Sequence, residues 1–469
     1  MTNSALLVVV QVAAAQLGVV DVVVIGEPIE LGIVEALQIA EQRSENVDIA
    51  RAGVRRADAE RTRAFSDWLP QASALLSYDR TLRTEFDDVE LPGFGSALSA
   101  LPFGQPNTWR AGVALSQNVF RGGRTVGAQR IAEALHRQAL VGLESARAQA
   151  VLQAAQAYYD VVLAERLLFI AEQSRSQAEL TVEQTRLGVS NGTMPEFDLL
   201  RAQVALDNQG PTLLQRHNEL QAARLRLRQV LELPAERPLL MTSTLEGELV
   251  DITPEVRALA PALGETVPAN VRQAQDARSQ SDAAVAVAWG QHLPQLDLAM
   301  NYGLVSYPDK ITSAFDDVRD NWTVGVALRV PLFMGFRVEG DVESARAQVM
   351  EASERLALAA ELADLEQRTT AQTLAASEAT FRASAGVVDN AKKARLIADL
   401  RFAEGVSTLL EVRDAQLLLD QAEVNRARAA RDLQIARARQ TLLPSLPLVP
   451  SSSSPSFSSS SLTPLPAQP

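Results

Sequence analysis

The chain has 469 residues, no cysteine, and a formal charge of −13 from 44 basic and 57 acidic side chains. The acidic balance speaks against a nucleic-acid partner, because phosphate binding needs a basic face. The lack of thiols excludes disulfides, thiolate metal sites and a cysteine nucleophile. Only 5% of residues are aromatic, while Ala, Leu, Arg, Gln and Glu dominate. That mixture suits long packed helices better than a bulky globular core.

Taken in chain order, the first feature is the apolar run from Ala5 to Ala15, which ends in Ala13-Ala14-Ala15. Its length and small-residue end fit a signal peptide over 1–25, although no Lys or Arg precedes Arg43. An uncleaved anchor or a buried strand are the other readings of the same run. No other segment offers the ~18 consecutive apolar residues of a membrane-crossing helix, so any crossing must use strands. A helix-forming stretch follows near Glu35 to Asp67, and then Leu69-Pro70-Gln71 introduces a strand over about 70–79, the weakest of four. A Gly/Pro/acid-rich stretch to Asn107 reads as a solvent loop. The second strand, about 108–120, alternates Trp109, Ala111, Val113 and Leu115 with Arg110, Gly112, Ala114 and Ser116, the period of a half-apolar strand.

From about Arg124 to Ser190 the sequence is almost all good helix former, with glycine only at 127, 142 and 188. About 65 helical residues would reach roughly 100 Å, a rod that must pack against similar rods. The Gly188, Gly192 and Pro195 region turns the chain back, giving a helical hairpin over about 124–232. Gly210-Pro211 should kink or break its returning arm. An irregular segment between Leu233 and Pro268 follows, and then a second helix-forming stretch near Asn270 to Gly290.

From there the pattern repeats. Trp322 to Phe333 matches Trp109 to Phe120, an offset of 322 − 109 = 213. The same offset places Gly192 on Gly405, Asp198 on Glu411 and Ala202-Gln203 on Ala415-Gln416, without a gap. Leu293-Pro294-Gln295 matches Leu69-Pro70-Gln71 at an offset of 224, so the first copy carries 11 extra residues, all in its predicted loop. The second repeat thus predicts strands at about 294–305 and 321–333 and a hairpin over about 336–442. The chain reads as two repeats, 26–255 and 256–443, followed by a Ser/Pro-rich tail over 444–469 with the composition of a disordered segment.

Each strand has one apolar face and about the length of a tilted membrane strand, with Trp109, Trp322, Tyr78 and Tyr302 near strand ends as candidate membrane-interface aromatics. A soluble sheet with one face on a core shares this pattern, but the long flanking helices supply no covering layer and favour a barrel. Four strands cannot close a barrel, and open edges find no partners in lipid, so several chains must contribute. The three histidines, His136, His217 and His292, are scattered with no triad or metal-ligand spacing, so neither an enzyme nor a metal or cofactor site is expected.

The Leu-Pro-Gln before a strand, the Phe-x-Gly that closes one before a proline-free helix, and the Gly-x-x-x-x-x-Asp/Glu-x-x-x-Ala-Gln tip resemble the TolC-type outer membrane efflux protein family. The resemblance runs from Leu31 to Leu443. It implies a mainly α chain with β, forming a homotrimer whose 12-stranded transmembrane barrel continues as a periplasmic α-helical coiled-coil tunnel. It also implies residence in the outer membrane of a Gram-negative-type envelope and passive export for a tripartite efflux or type I secretion system.

On the same resemblance, the tunnel closes at its periplasmic end through Glu411 and Asp414, with Asp198 on the first hairpin. Six carboxylates from three copies would attract cations, and crowding would raise some of their pKa values. Phe402 stands where the family's type member carries a tyrosine, and Ser407 where it carries an arginine, so closure here would rest on apolar packing. The tips, Val189, Gly192 and Thr193 on one hairpin and Gly405, Val406 and Ser407 on the other, would meet a periplasmic adaptor (membrane fusion protein) that links to an inner-membrane pump. The rival reading is a soluble periplasmic coiled-coil scaffold or the adaptor itself, which should carry a single hairpin rather than two equivalent ones.

Overall fold

The computed structural model describes residues 29–83, 107–234, 239–245, 267–308 and 318–447, together with 254 and 256. The signal-peptide-like run, the extra residues of the first repeat, most of the inter-repeat segment and the Ser/Pro-rich tail beyond residue 447 lie outside them. In chain order the elements are β1 (Ile29–Leu31), α1 (Ile33–Arg43), α2 (Glu45–Ser66), β2 (Gln71–Arg80), β3 (Asn107–Arg121), α3 (Arg124–Ser190), α4 (Glu196–Asp207), α5 (Gln209–Leu231) and β4 (Leu239–Met241). Then come α6 (Ala269–Trp289), β5 (Gln295–Ser306), β6 (Val318–Arg329), α7 (Arg337–Ala403) and α8 (Leu409–Leu442).

The 213-residue offset is exact in the helices: α3 and α7 are both 67 residues long, and their first and last residues differ by 213. Two repeat-related glycines set where they begin. Gly122 and Gly335, which close the two Phe-x-Gly motifs, have φ of +62° and +64°, a left-handed turn that a side chain resists. The returning arms differ. The second is one helix, α8, of 34 residues, whereas the first is split at Asn208 into α4 and α5. Pro211, which has no N–H to donate, falls in the first turn of α5, where none is needed. Gly210-Pro211 therefore breaks the arm just upstream of itself.

The chain divides into two compact units, each drawing on both repeats. One comprises 1–44, 151–255 and 375–438 and holds the hairpin tips. In it, β1 and β4 form a parallel two-stranded sheet. Tyr158 of α3, fully buried, donates its hydroxyl to the Leu31 carbonyl at 3.1 Å and accepts from the Ser243 N–H at 3.3 Å. Arms of different hairpins are tied together by Arg431–Asp160 (2.7 Å), Arg166–Glu423 (3.5 Å) and the Ser174 hydroxyl on Asp420 (2.8 Å).

The other unit comprises 45–150, 256–374 and 439–469 and holds the larger sheet. Its strands run in the order β2-β3-β5-β6, all antiparallel. Here α6 packs on the starts of both long helices. Gly127 of α3 lies so close to Val287 that a Cβ would come within 2.5 Å of it. Ala288 joins Val338, Val342 and Ala345 of α7 in one apolar cluster. Buried Glu144 accepts from Arg272 at 2.7 Å and from the Ser445 hydroxyl at 2.6 Å, tying α6 and the segment after α8 to α3.

β3 runs to Arg121, but β6 stops at Arg329, short of Phe333. Both end opposite Gln295, the first residue of β5, so β6 runs out of partner two residues before Pro331. Its repeat equivalent, Asn118, sits where β3 carries a bulge that leaves Val119 unpaired. The bulge sets Phe120 opposite Leu296, so the apolar row continues after a one-residue insertion.

Candidate functional site

The sheet presents two unlike faces. Register places Ala74, Val113, Tyr302 and Trp322 in one line across all four strands, with Leu76, Ala111 and Leu304 in the next. One face is therefore mainly apolar, interrupted by Asp320 opposite Leu304 and by Gln117 opposite Leu298. The opposite face carries Ser73, Ser77, Arg110, Ser116, Asp297, Asn301 and Thr323, and Arg110 pairs with Asp79 there. On β6 the apolar row lies open, with Trp322, Val324, Val326 and Leu328 between 64% and 69% exposed. Residues of this kind face water only at a cost of about 1.5–3 kcal/mol each.

The four aromatics form two cross-strand pairs. Tyr78 faces Trp109 with ring centroids 4.9 Å apart, and Tyr302 faces Trp322 edge-on at 5.9 Å. Trp109 opposes Ser306, four residues along β5 from Tyr302, so the pairs are offset by about 13 Å along the strand. The Tyr78 hydroxyl donates to Asn107, which in turn donates to the Pro308 carbonyl.

The two hairpin tips share one backbone plan. In the first, the N–H groups of Gly192, Thr193 and Met194 donate to the carbonyls of Val189, Gly188 and Gly188. In the second, those of Gly405, Val406 and Ser407 donate to Phe402, Arg401 and Arg401, the same three bonds displaced by 213. Gly192 and Gly405 supply the left-handed residue of this helix end, with φ of +71° and +74°. Most of the tip residues are exposed: Gly192, Thr193, Gly405 and Val406 face solvent, and Val189 and Ser407 are half-buried.

Side chains make the tips unequal. Arg401 stands where the first tip has Gly188, and its guanidinium lies 3.8 Å from Glu411 across the turn. At the first tip Met194 fills that space, within 2.7 Å of where a Gly188 Cβ would be. Arg201, which aligns with Asp414, lies over the Phe197 ring at 5.8 Å. Asp414 is exposed on α8 and Asp198 half-buried in the first turn of α4. Phe402 is packed on Ala398, Val412 and Ala415 within its own hairpin. Glu411, Asp414 and Phe402 thus gather at one tip, and Asp198 belongs to the other. The sequence reading missed the Arg401–Glu411 pair because its partners, ten residues apart, meet only through the turn. It also missed Asp420, whose carboxyl is pushed up chiefly by burial, against the hydrogen bonds from Ser174 and Gln416 that hold it down.

Among the described residues, no helix is long and apolar enough to cross a membrane. None of their His, Asp or Glu side chains form a group able to hold a metal ion.

The family model described as outer membrane efflux protein matches residues 36–232 and 268–443. The outer membrane protein TolC of Vibrio cholerae is 25% identical over 346 residues, 71% of this chain and 76% of TolC. The crystal structure of the Vibrio cholerae outer membrane protein VceC superposes with a TM-score of 0.71 at 18% identity, covering 87% of this chain and 95% of VceC. The Campylobacter jejuni outer membrane channel CmeC gives 0.73 at 16% identity over 88% of this chain and 86% of CmeC. The open state of the Neisseria gonorrhoeae outer membrane channel MtrE gives 0.71 at 16% identity, over 88% and 89%. With the family model matched in both repeats and the same fold in solved outer-membrane channels, this chain belongs to the outer membrane efflux protein family and is a protein of the outer membrane.

Proposed function

We propose that three copies of the chain form one export duct, each adding four strands to a 12-stranded barrel and its hairpins to a periplasmic helical tunnel. The observation that carries this reading is the sheet itself. It has two open edges, β2 and β6, and an apolar face whose β6 row is uncovered. Open edges in lipid leave backbone groups unpaired at several kcal/mol each, so β2 of one copy pairs with β6 of the next until the barrel closes. The polar face then lines the lumen. The aromatic pairs lie at the membrane interface, the indole and phenol rings reaching the headgroups.

The tips form the periplasmic end, where the ring of Glu411 and Asp414 sets a cation-preferring constriction, with Asp198 on the neighbouring hairpin and Phe402 holding the second tip together. Val189, Gly192, Thr193, Gly405, Val406 and Ser407 contact the adaptor, which couples the duct to an inner-membrane pump. The chain performs no chemistry of its own: the pump supplies the energy.

Two measurements test this reading. The chain has no native cysteine, so Ala74→Cys with Val324→Cys places one thiol on each sheet edge. Oxidation in outer membranes should give a ladder ending at three chains. A ladder that ends at two, or recovery of the protein in the soluble fraction, refutes the barrel. In planar bilayers, Glu411→Ala with Asp414→Ala should abolish cation preference; unchanged selectivity removes the gate.

A further inference from the structure

Beside the tips, α3, α4, α7 and α8 enclose a cleft of about 130 Å³. A cavity of about 150 Å³ accommodates benzene, so this one takes a body of that size. Its walls carry neutral polar side chains, Ser174, Gln177, Thr181, Asn208, Gln209 and Gln416, beside apolar and charged ones. Ala178, Ala202, Ala205, Leu409, Val412 and Leu417 give an apolar lining. Three arginines, Arg201, Arg395 and Arg413, share it with a single acid, Asp420.

The arginines are incompletely answered. Among the described residues Arg413 makes no hydrogen bond or ion pair, and Arg201 is engaged only with the Phe197 ring. Arg395 is only 7% exposed. Its Nε donates to Asp399 at 2.9 Å and its Nη1 to the Val412 carbonyl at 2.8 Å. Its Nη2 lies 2.9 Å from Asp399 as an ion-pair contact but has no hydrogen-bond partner. A buried guanidinium N–H without a bonded acceptor is costly, and an anion that reaches it gains a charge-assisted bond. The oxygens of Asp420 are taken up by Ser174 and Gln416, which donate to them at 2.8 and 2.6 Å.

We propose that this cleft is a binding site for a small monocarboxylate with an apolar body of about benzene size, its carboxylate directed to Arg395 and Arg413 and its body among the alanines and leucines. Both hairpins line the site, so a bound ligand touches both. The inference goes beyond the export reading and does not depend on it: it concerns binding, and holds or fails whether or not the tips gate a channel.

The test uses the full chain in detergent and ¹⁹F NMR with 4-fluorobenzoate as the probe. The expected result is saturable binding with a roughly millimolar dissociation constant, as suits so few heavy atoms. The neutral 4-fluorobenzamide should bind at least about tenfold more weakly, because it lacks the charge. Ala178→Leu and Ala205→Leu fill the cleft and should abolish binding. Arg413→Gln, on an exposed side chain, should weaken it several-fold and keeps the test available should a filled variant not fold. No saturable binding, equal binding of acid and amide, or binding unchanged in Arg413→Gln or in a folded filled variant would each overturn the proposal.

Discussion

Gly122 and Gly335 hold equivalent places in the two repeats and have almost the same φ, +62° and +64°. Replacing either by alanine puts a Cβ into the left-handed region, which costs about 1–2 kcal/mol. Beyond that term their surroundings differ. A Cβ at Gly122 would lie 2.3 Å from the Gly290 carbonyl oxygen and 2.8 Å from the Leu293 Cβ, whereas at Gly335 nothing comes within 4 Å. The obstacle at Gly122 is backbone, so the strand-to-helix turn or the end of α6 has to move by about 1 Å, and overpacking of this kind costs about 1–3 kcal/mol. Gly335→Ala should therefore lose about 1–2 kcal/mol and Gly122→Ala about 2–5 kcal/mol. For 469 residues, each kcal/mol corresponds to roughly 1 °C in Tm. Thermal melts of the full chain in detergent, followed by far-UV circular dichroism, should separate the two. Gly123→Ala (φ +77°, with nothing within 4 Å) should behave like Gly335→Ala. Equal losses at 122 and 335 would refute the close-approach argument.

Three further outcomes follow from the tips and the interior of their unit. Arg401→Gln removes a pair whose partners are each about half exposed, 51% and 49%. Stability should change by under about 1 kcal/mol, while cation preference in bilayers should rise because Glu411 loses its counter-charge; a fall would contradict the assigned gate. The raised carboxyl of Asp420 means that the folded chain holds its proton more tightly than the unfolded chain. Stability attributable to this group is then highest below the unfolded carboxylate range and declines as pH rises through the raised value. Asp420→Asn should flatten that decline and stabilise the protein at neutral pH, as read in melts across a pH series; a variant with the wild-type slope would exclude the assignment. Tyr158→Phe removes the hydroxyl that donates to the Leu31 carbonyl and accepts from the Ser243 N–H, and should cost about 1–2 kcal/mol in the same melts; a loss no larger than that of an exposed tyrosine substitution would show that these bonds contribute nothing.

The amino-acid sequence alone disclosed the duplication, because a gap-free 213-residue register is a property of the order of residues. That register gave α3 and α7 their equal length, and it placed Gly192 and Gly405 where the chain must turn left-handed. Period-two alternation was enough to find the strands, since one apolar face requires it. Gly210-Pro211 was enough to expect a broken arm, since proline cannot donate. What only the tertiary structure decided depends on groups far apart in sequence. It set the strand order β2-β3-β5-β6, which leaves β2 and β6 as edges and joins the apolar rows into one face. It brought Gly122 against Gly290 and Arg401 to Glu411, contacts that no local pattern encodes. It also set Asp420, partly buried, beside Ser174, 246 residues away, and this burial raises its carboxyl above the ordinary carboxylate range. Local periodicity follows from nearest-neighbour geometry and is written in the residues. Closest approach and burial follow from how rods and sheet pack, and arise only once the chain has folded.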